Sequence, residues 1–249
     1  MIELKDKIAL ITGATGDMGS TFATGLATAG ADVILTSRSQ GELAAIAAQI
    51  EATTGQRARS IACDFMERES VAALCDSAWA LFGRIDIVVN NAVPAGSQEL
   101  GGDLLSAPEH TWYDYQRTIV WGPLQLAKSF APRMAAIGGG CFVNIVSHAG
   151  IDPVPGLDAY GFAKGGLLLL TKYMAREWGE WGIRANAISP GMIAGPASVA
   201  NGPEAQRILE RTYLRRRGTK DEVVGAVVYL ASDAARFVTG QMIAVNGGR

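Results

Sequence analysis

Seven short, β-rich apolar runs alternate with longer stretches of helical periodicity along the 249-residue chain. The runs occupy residues 8–12, 33–36, 59–63, 85–90, 141–146, 184–189 and 242–245. They are continuously apolar instead of alternating, as expected of strands covered on both faces. Between them lie helical patterns at 18–29, 40–53, 68–82, 109–137, 158–181 and 220–232. Strand–helix alternation of this kind predicts an α/β fold: one doubly wound domain over residues 1–249, with a mainly parallel seven-stranded sheet and helices on both faces. Residues 93–108 and 192–217 fit neither pattern. Both follow a strand's carboxyl end, where ligands bind in such sheets, so they are read as loops and short helices around a site.

Composition narrows the function classes. Hydrophobic residues make up 49% of the chain and charged residues 18%, which excludes a disordered chain. A net charge of −2 argues against a basic nucleic-acid surface. Cys63, Cys75 and Cys141 form no CxxC pair, and their odd number argues against a disulfide framework. His110 and His148 lack metal-ligand spacing, so no metal is expected. The first residues, Met1 to Lys7, carry charges before any apolar core and do not read as a signal peptide. No apolar run reaches the length of a membrane span. A cytoplasmic protein without membrane or nucleic-acid partners is expected.

The motifs carry more chemistry. The first strand runs into Gly13-Ala14-Thr15-Gly16-Asp17-Met18-Gly19 and then a helix. Such a turn lets backbone N–H groups approach a pyrophosphate at a helix N-terminus. Tyr160 and Lys164 stand four residues apart on a helical stretch and share a face. A neighbouring ammonium would lower the phenol pKa from its usual value near 10 and fit Tyr160 for proton exchange with an alcohol or carbonyl oxygen. Ser147, at the end of the fifth strand, is placed to polarise the same oxygen.

With Asn90-Asn91-Ala92 and Asn186-Ala187-Ile188-Ser189-Pro190-Gly191, these motifs resemble those of short-chain dehydrogenases/reductases, and the resemblance runs the length of the chain. It implies an alcohol dehydrogenase or carbonyl reductase that moves a hydride between a nicotinamide and a small-molecule ketone or secondary alcohol. Ser147, Tyr160 and Lys164 would be catalytic, with Lys164 also binding the ribose hydroxyls. Gly13, Thr15, Asp17 and Met18 would border the phosphates, Asp64 and Phe65 the adenine, Asn91 and Ala92 the nicotinamide ribose. Pro190, Gly191 and Ile193 would hold the far end of the cofactor. A homotetramer is also implied.

The second strand ends Thr36-Ser37-Arg38. No acid stands there for a ribose 2′-OH, and Arg38 offers a charged fork to a 2′-phosphate, so NADP(H) is favoured and NAD(H) remains possible. Four positions depart from the family pattern: Asp17 and Val93 replace glycines, Gly195 a threonine, and Ile119 an asparagine on the long helix. Asp17 is expected to point away from the pyrophosphate or to cap the helix. The departures keep open a nucleotide-binding protein without turnover. Trp112, Tyr113, Tyr115 and Trp121 are read as packing or subunit contacts, His148 as a loop residue, Arg215 to Arg217 as a solvated run, and residues 167–170 as a buried helix face.

Overall fold

In the computed structural model, which describes residues 2–94, 102–195 and 203–248, seven parallel strands form one sheet in the order β3-β2-β1-β4-β5-β6-β7. The strands are β1 (Ile8–Thr12), β2 (Asp32–Ser37), β3 (Ala58–Ala62), β4 (Ile87–Asn90), β5 (Gly140–Ile145), β6 (Ile183–Pro190) and β7 (Met242–Val245). The sequence patterns locate every strand, with ends shifted by one or two residues. The helices are α1 (Asp17–Thr28), α2 (Gln40–Thr54), α3 (Arg68–Phe82), α4 (Glu109–Gln116), α5 (Gly122–Ala136), α6 (Asp158–Trp178), α7 (Pro203–Arg211) and α8 (Lys220–Ala231).

Both faces of the sheet are covered. Leu35, Val89 and Val143 pack with Phe22, Leu26 and Val227 on one side. Leu10, Val88 and Phe142 pack with Leu74, Phe130 and Met174 on the other. Strand residues alternate between these two cores, so a strand buried on both faces reads as an unbroken apolar run. At the sheet's amino-terminal edge, Asp86 is buried and accepts hydrogen bonds from Ile8 N at 2.9 Å and Arg84 Nε at 3.0 Å. It ties β1 to β4 far from the carboxyl ends.

The expected helix over 109–137 is broken. Residues Arg117–Trp121 form a π-helical turn between α4 and α5, closed by Gly122 N donating to Arg117 O. Pro123 explains it: proline has no N–H to donate to Ile119 O, and its ring would clash with that carbonyl in an α-helix. Residues 167–170 also differ from expectation, since Leu167 is buried while Leu169 is exposed. Of the two expected site loops, residues 95–101 and 196–202 lie outside the described residues. The rest of 192–217 includes α7 and a bridge of Ile193 with Gly218. No helix among the described residues is long and apolar enough to cross a membrane, and Cys63, Cys75 and Cys141 are buried free thiols.

Candidate active site

The carboxyl ends of β1, β2, β4, β5 and β6 open into a cleft of about 870 Å³. At its base the β1–α1 turn is held in place from β4. Thr12 Oγ1 accepts from Asn91 N at 2.9 Å and Ala92 N at 3.0 Å, and Asn91 Nδ2 donates to Thr12 O at 3.1 Å. Two glycines make this turn possible. Gly13 has φ +65°, and a Cβ there would stand 2.8 Å from Ala92 Cα. At Gly19 a Cβ would stand 2.1 Å from Gly13 O. The helix that follows starts at Gly16 with no side-chain cap, so its first N–H groups face the cleft without an internal acceptor. An uncapped helix start over a glycine cradle fits a dinucleotide pyrophosphate.

Asp17 is the first residue of α1 and lines the cleft. It does not cap the helix. Its carboxylate forms an ion pair with Lys220 at the start of α8. At the β2 end, Ser37, Arg38 and Glu42 line one mouth of the cleft. The Arg38 guanidinium has no hydrogen bond or ion pair to any described residue. Asp64 and Phe65 lie beyond β3. There Asp64 lines the cleft, and its Oδ1 accepts from Met66 N at 2.9 Å.

At the other end, Ser147, Tyr160 and Lys164 converge. The turn after β5 nests against α6: a Cβ on Gly161 would fall 2.5 Å from Ala149 O, and one on Gly150 would fall 2.6 Å from Gly165 N. This close approach sets Ser147 beside Tyr160, and a Ser147 hydrogen bond acts on the Tyr160 phenol. Lys164 is 2% exposed and donates to Ile145 O at 2.5 Å. Its Nζ lies 5.6 Å from the centroid of the Tyr160 ring. A polar chain stiffens the base beneath: Asn90 Nδ2 donates to Asn144 Oδ1 at 2.7 Å, and Asn144 Nδ2 donates to Thr171 Oγ1 at 2.8 Å.

The electrostatics correct one expectation. Burial pushes the Tyr160 phenol above its ordinary pKa of 10, and the Ser147 hydrogen bond offsets only part of that. Burial also pulls the Lys164 ammonium down to about 7. Sequence spacing implies a phenol lowered by its neighbour, but dry surroundings disfavour the charged form of both groups. The ammonium also lies by the ring and spends one donor on Ile145 O. Burial therefore favours the protonated form of the Tyr160 phenol.

Every site residue named from the sequence lines this one cleft: Gly13, Thr15, Asp17 and Met18 at the turn; Ser37 and Arg38; Asp64 and Phe65; Asn91 and Ala92; Ser147, Tyr160 and Lys164; Pro190, Gly191 and Ile193. Sequence reading missed Glu42, Met66, Asp114 and Thr118, which also line it. Glu42 stands in the first turn of α2, four residues after Arg38. Met66 follows β3, while Asp114 and Thr118 come from α4 and the Arg117–Trp121 turn, which is tied to the β3 end where Arg117 Nε donates to Met66 O at 3.1 Å. His148 pairs with Asp152 at 3.4 Å. Tyr115 is buried edge-on to Tyr160, ring centroids 5.7 Å apart, and Trp112 packs edge-on to Phe162 at 5.9 Å. Ile119 is 1% exposed and packs with Tyr115, Val146, Ala163 and Leu167. Its place in the pattern is filled by core and not by a polar group. No group of His, Cys, Asp and Glu able to hold a metal occurs among the described residues.

Comparison with known proteins places this geometry. The family described as enoyl-(acyl carrier protein) reductase matches residues 13–249. D-threitol dehydrogenase of Mycolicibacterium smegmatis is 33% identical, over 98% of this chain and 93% of its own. Among solved structures, 7α-hydroxysteroid dehydrogenase complexed with NADH and 7-oxo glycochenodeoxycholic acid superposes with a TM-score of 0.92 at 31% identity, covering 99% of this chain and 95% of that one. A gluconate 5-dehydrogenase from Burkholderia cenocepacia, in complex with NADP and tartrate, gives a TM-score of 0.92 at 32% identity, covering 99% and 96%.

Proposed function

The chain belongs to the short-chain dehydrogenase/reductase family, and from that premise we propose that it is an NADP(H)-dependent oxidoreductase interconverting a secondary alcohol and a ketone. The observation that carries the reading is the convergence of Ser147, Tyr160 and Lys164 in the cleft that the phosphate-fitting turn opens into. The bound nicotinamide would supply or accept the hydride, the step no side chain can perform.

The chain's own groups handle the oxygen. Ser147 Oγ positions the carbonyl oxygen, and the neutral Tyr160 hydroxyl donates a proton to it as the carbon is reduced. The reverse direction returns the proton to Tyr160. Lys164 has donors left after its bond to Ile145 O, and these would bind the ribose hydroxyls of the cofactor. Tyr115 and Val146 pack beside the half-buried Tyr160 and hold its ring in place. The relatives named above act on polyols, sugar acids or steroids by their names, so a small hydroxylated or cyclic ketone is the substrate class proposed. The exposed Trp121, Phe162, Leu169 and Tyr173 support the expectation of a homotetramer built on this side of α5 and α6.

Cofactor choice rests on the unpaired Arg38 guanidinium. A charge-assisted hydrogen bond to a 2′-phosphate is worth roughly 1.5–3 kcal/mol, about a 10–150-fold preference for NADPH. Glu42 at the same mouth favours the second reading, NAD(H), because a carboxylate accepts from a 2′-OH and repels a 2′-phosphate. Dissociation constants for NADPH and NADH decide between them. Tighter NADPH binding that Arg38→Leu abolishes supports the first reading. Tighter NADH binding supports the second, and equal affinities in the unmutated protein, or a ratio untouched by the substitution, mean NAD(H) or dual use with Arg38 a solvated surface residue.

A further inference from the structure

Two of the departures from the family pattern meet in space. A Cβ on Gly195 would stand 3.2 Å from Asp17 Oδ2, so the side chain missing at 195 leaves room for the carboxylate present at 17. The other oxygen of that carboxylate, Oδ1, pairs with Lys220 Nζ. The backbone brings these three positions together. Ala194 N donates to Gly218 O at 2.8 Å and Gly218 N donates to Met192 O at 3.0 Å, which pins the segment after β6 to the entry of α8. Thr219 then caps α8 in a reciprocal box with Glu222, and Arg216 anchors that Glu222 at 2.9 Å, so Lys220 starts from a fixed place. The helices α1 and α8 are in close contact, for a Cβ on Gly25 would fall 2.2 Å from Val224 Cγ1.

The carboxylate at 17 poses an electrostatic problem. It lines the cleft at the turn that fits a pyrophosphate, and a like charge at that range opposes the ligand. We propose that Lys220 is a positioning residue for the dinucleotide: its ammonium neutralises Asp17 and turns the carboxylate toward Gly195, so that the anionic pyrophosphate can seat on the start of α1. The proposal rests on the dinucleotide reading above and adds a residue 203 positions from the turn it serves. The role belongs to the pyrophosphate, so it is independent of the 2′ position. Lys220 therefore governs affinity for NADPH and NADH by one common factor, unlike Arg38, which acts on their ratio.

The test is a double-mutant cycle read by binding and not by turnover. Dissociation constants of NADPH and NADH are measured by calorimetry for the unmutated protein, Lys220→Met, Asp17→Asn and the double variant. Lys220→Met exposes the carboxylate charge and is expected to weaken both cofactors by about five- to tenfold at low salt, less at high salt. Asp17→Asn removes the charge that Lys220 answers, so it is expected to keep or tighten both affinities, and the double variant, which removes both charges together, to bind within about twofold of the unmutated protein. A merely structural clasp would give a different pattern: Asp17→Asn and the double variant would lose as much affinity as Lys220→Met, insensitive to salt and matched by a lower melting temperature without ligand. That pattern, or an unchanged affinity in Lys220→Met, overturns the proposal. If Lys220→Met does not fold, Lys220→Gln provides the same cycle with the stem retained. An unmutated protein that binds neither NADPH nor NADH overturns the dinucleotide reading itself, and the proposal with it.

Discussion

Replacing Lys164 by Met should stabilise the cofactor-free protein below neutral pH. Lys164 is 2% exposed, and burial pulls its ammonium from the ordinary 10.5 to about 7. At 1.36 kcal/mol for each tenfold change, holding that charge in the fold costs roughly 5 kcal/mol when both folded and unfolded forms are protonated, below about pH 7. Between pH 7 and 10.5 the unfolded chain keeps the proton and the folded one does not, so this cost declines as pH rises. The substitution also removes the bond to Ile145 O, which costs about 1–3 kcal/mol for the abandoned carbonyl. The balance leaves Lys164→Met more stable by about 2–4 kcal/mol at pH 6, with the difference shrinking by up to about 1.4 kcal/mol per pH unit above 7. Urea unfolding of both proteins at pH 6, 7.5 and 9, at one protein concentration, reads the effect. Other titrating groups are shared and cancel in the difference. A variant equal to or weaker than the parent at pH 6, or a difference that does not move with pH, would refute the reasoning. Lys164 would then be an ordinary solvated ammonium, and its placement in a dry cleft would explain nothing.

Two further outcomes follow from the packing. Ile119→Asn puts an amide among Tyr115, Val146 and Leu167, and should destabilise by about 1–3 kcal/mol with no gain in turnover; a stable, faster variant would show that the position is a vacant polar post after all. Asp86→Ala leaves Ile8 N without its acceptor and Arg84 without its partner at the opposite edge of the sheet. It should cost about 2–4 kcal/mol in denaturant unfolding while NADPH affinity stays unchanged, and a changed affinity would count against the placement of the site at the carboxyl edge.

The central strands were legible because burial on both faces makes their sequences largely apolar, although the edge strands β3 and β7 are only partly buried, and the cleft residues because they sit where those runs end. Val143 to Ser147 shows both at once: an apolar run, then the hydroxyl at its tip. What escaped depends on contacts between distant parts of the chain. The break at Arg117–Trp121 comes from Pro123 meeting a carbonyl four residues back, within a segment whose polar and apolar spacing stays helical. The pairing of Asp17 with Lys220 joins residues with no local signal between them. The direction of the Tyr160 shift is not legible in sequence, because i, i+4 spacing gives proximity to Lys164 but not the burial that disfavours the charged form of both groups. Leu169 faces outward because an apolar run on a helix spans more than one face.

The central claim is that Tyr160 passes the proton during hydride transfer from NADPH. The most direct measurement follows loss of the reduced nicotinamide absorbance across a panel of ketones, for the unmutated protein and for Tyr160→Phe, with NADPH affinity measured alongside. The account predicts reduction of at least one ketone by the unmutated protein. It predicts a fall of roughly 10²–10⁴-fold in turnover of that ketone by the Phe variant, with NADPH affinity nearly unchanged. A Phe variant that turns over the same ketone at close to the original rate would contradict it.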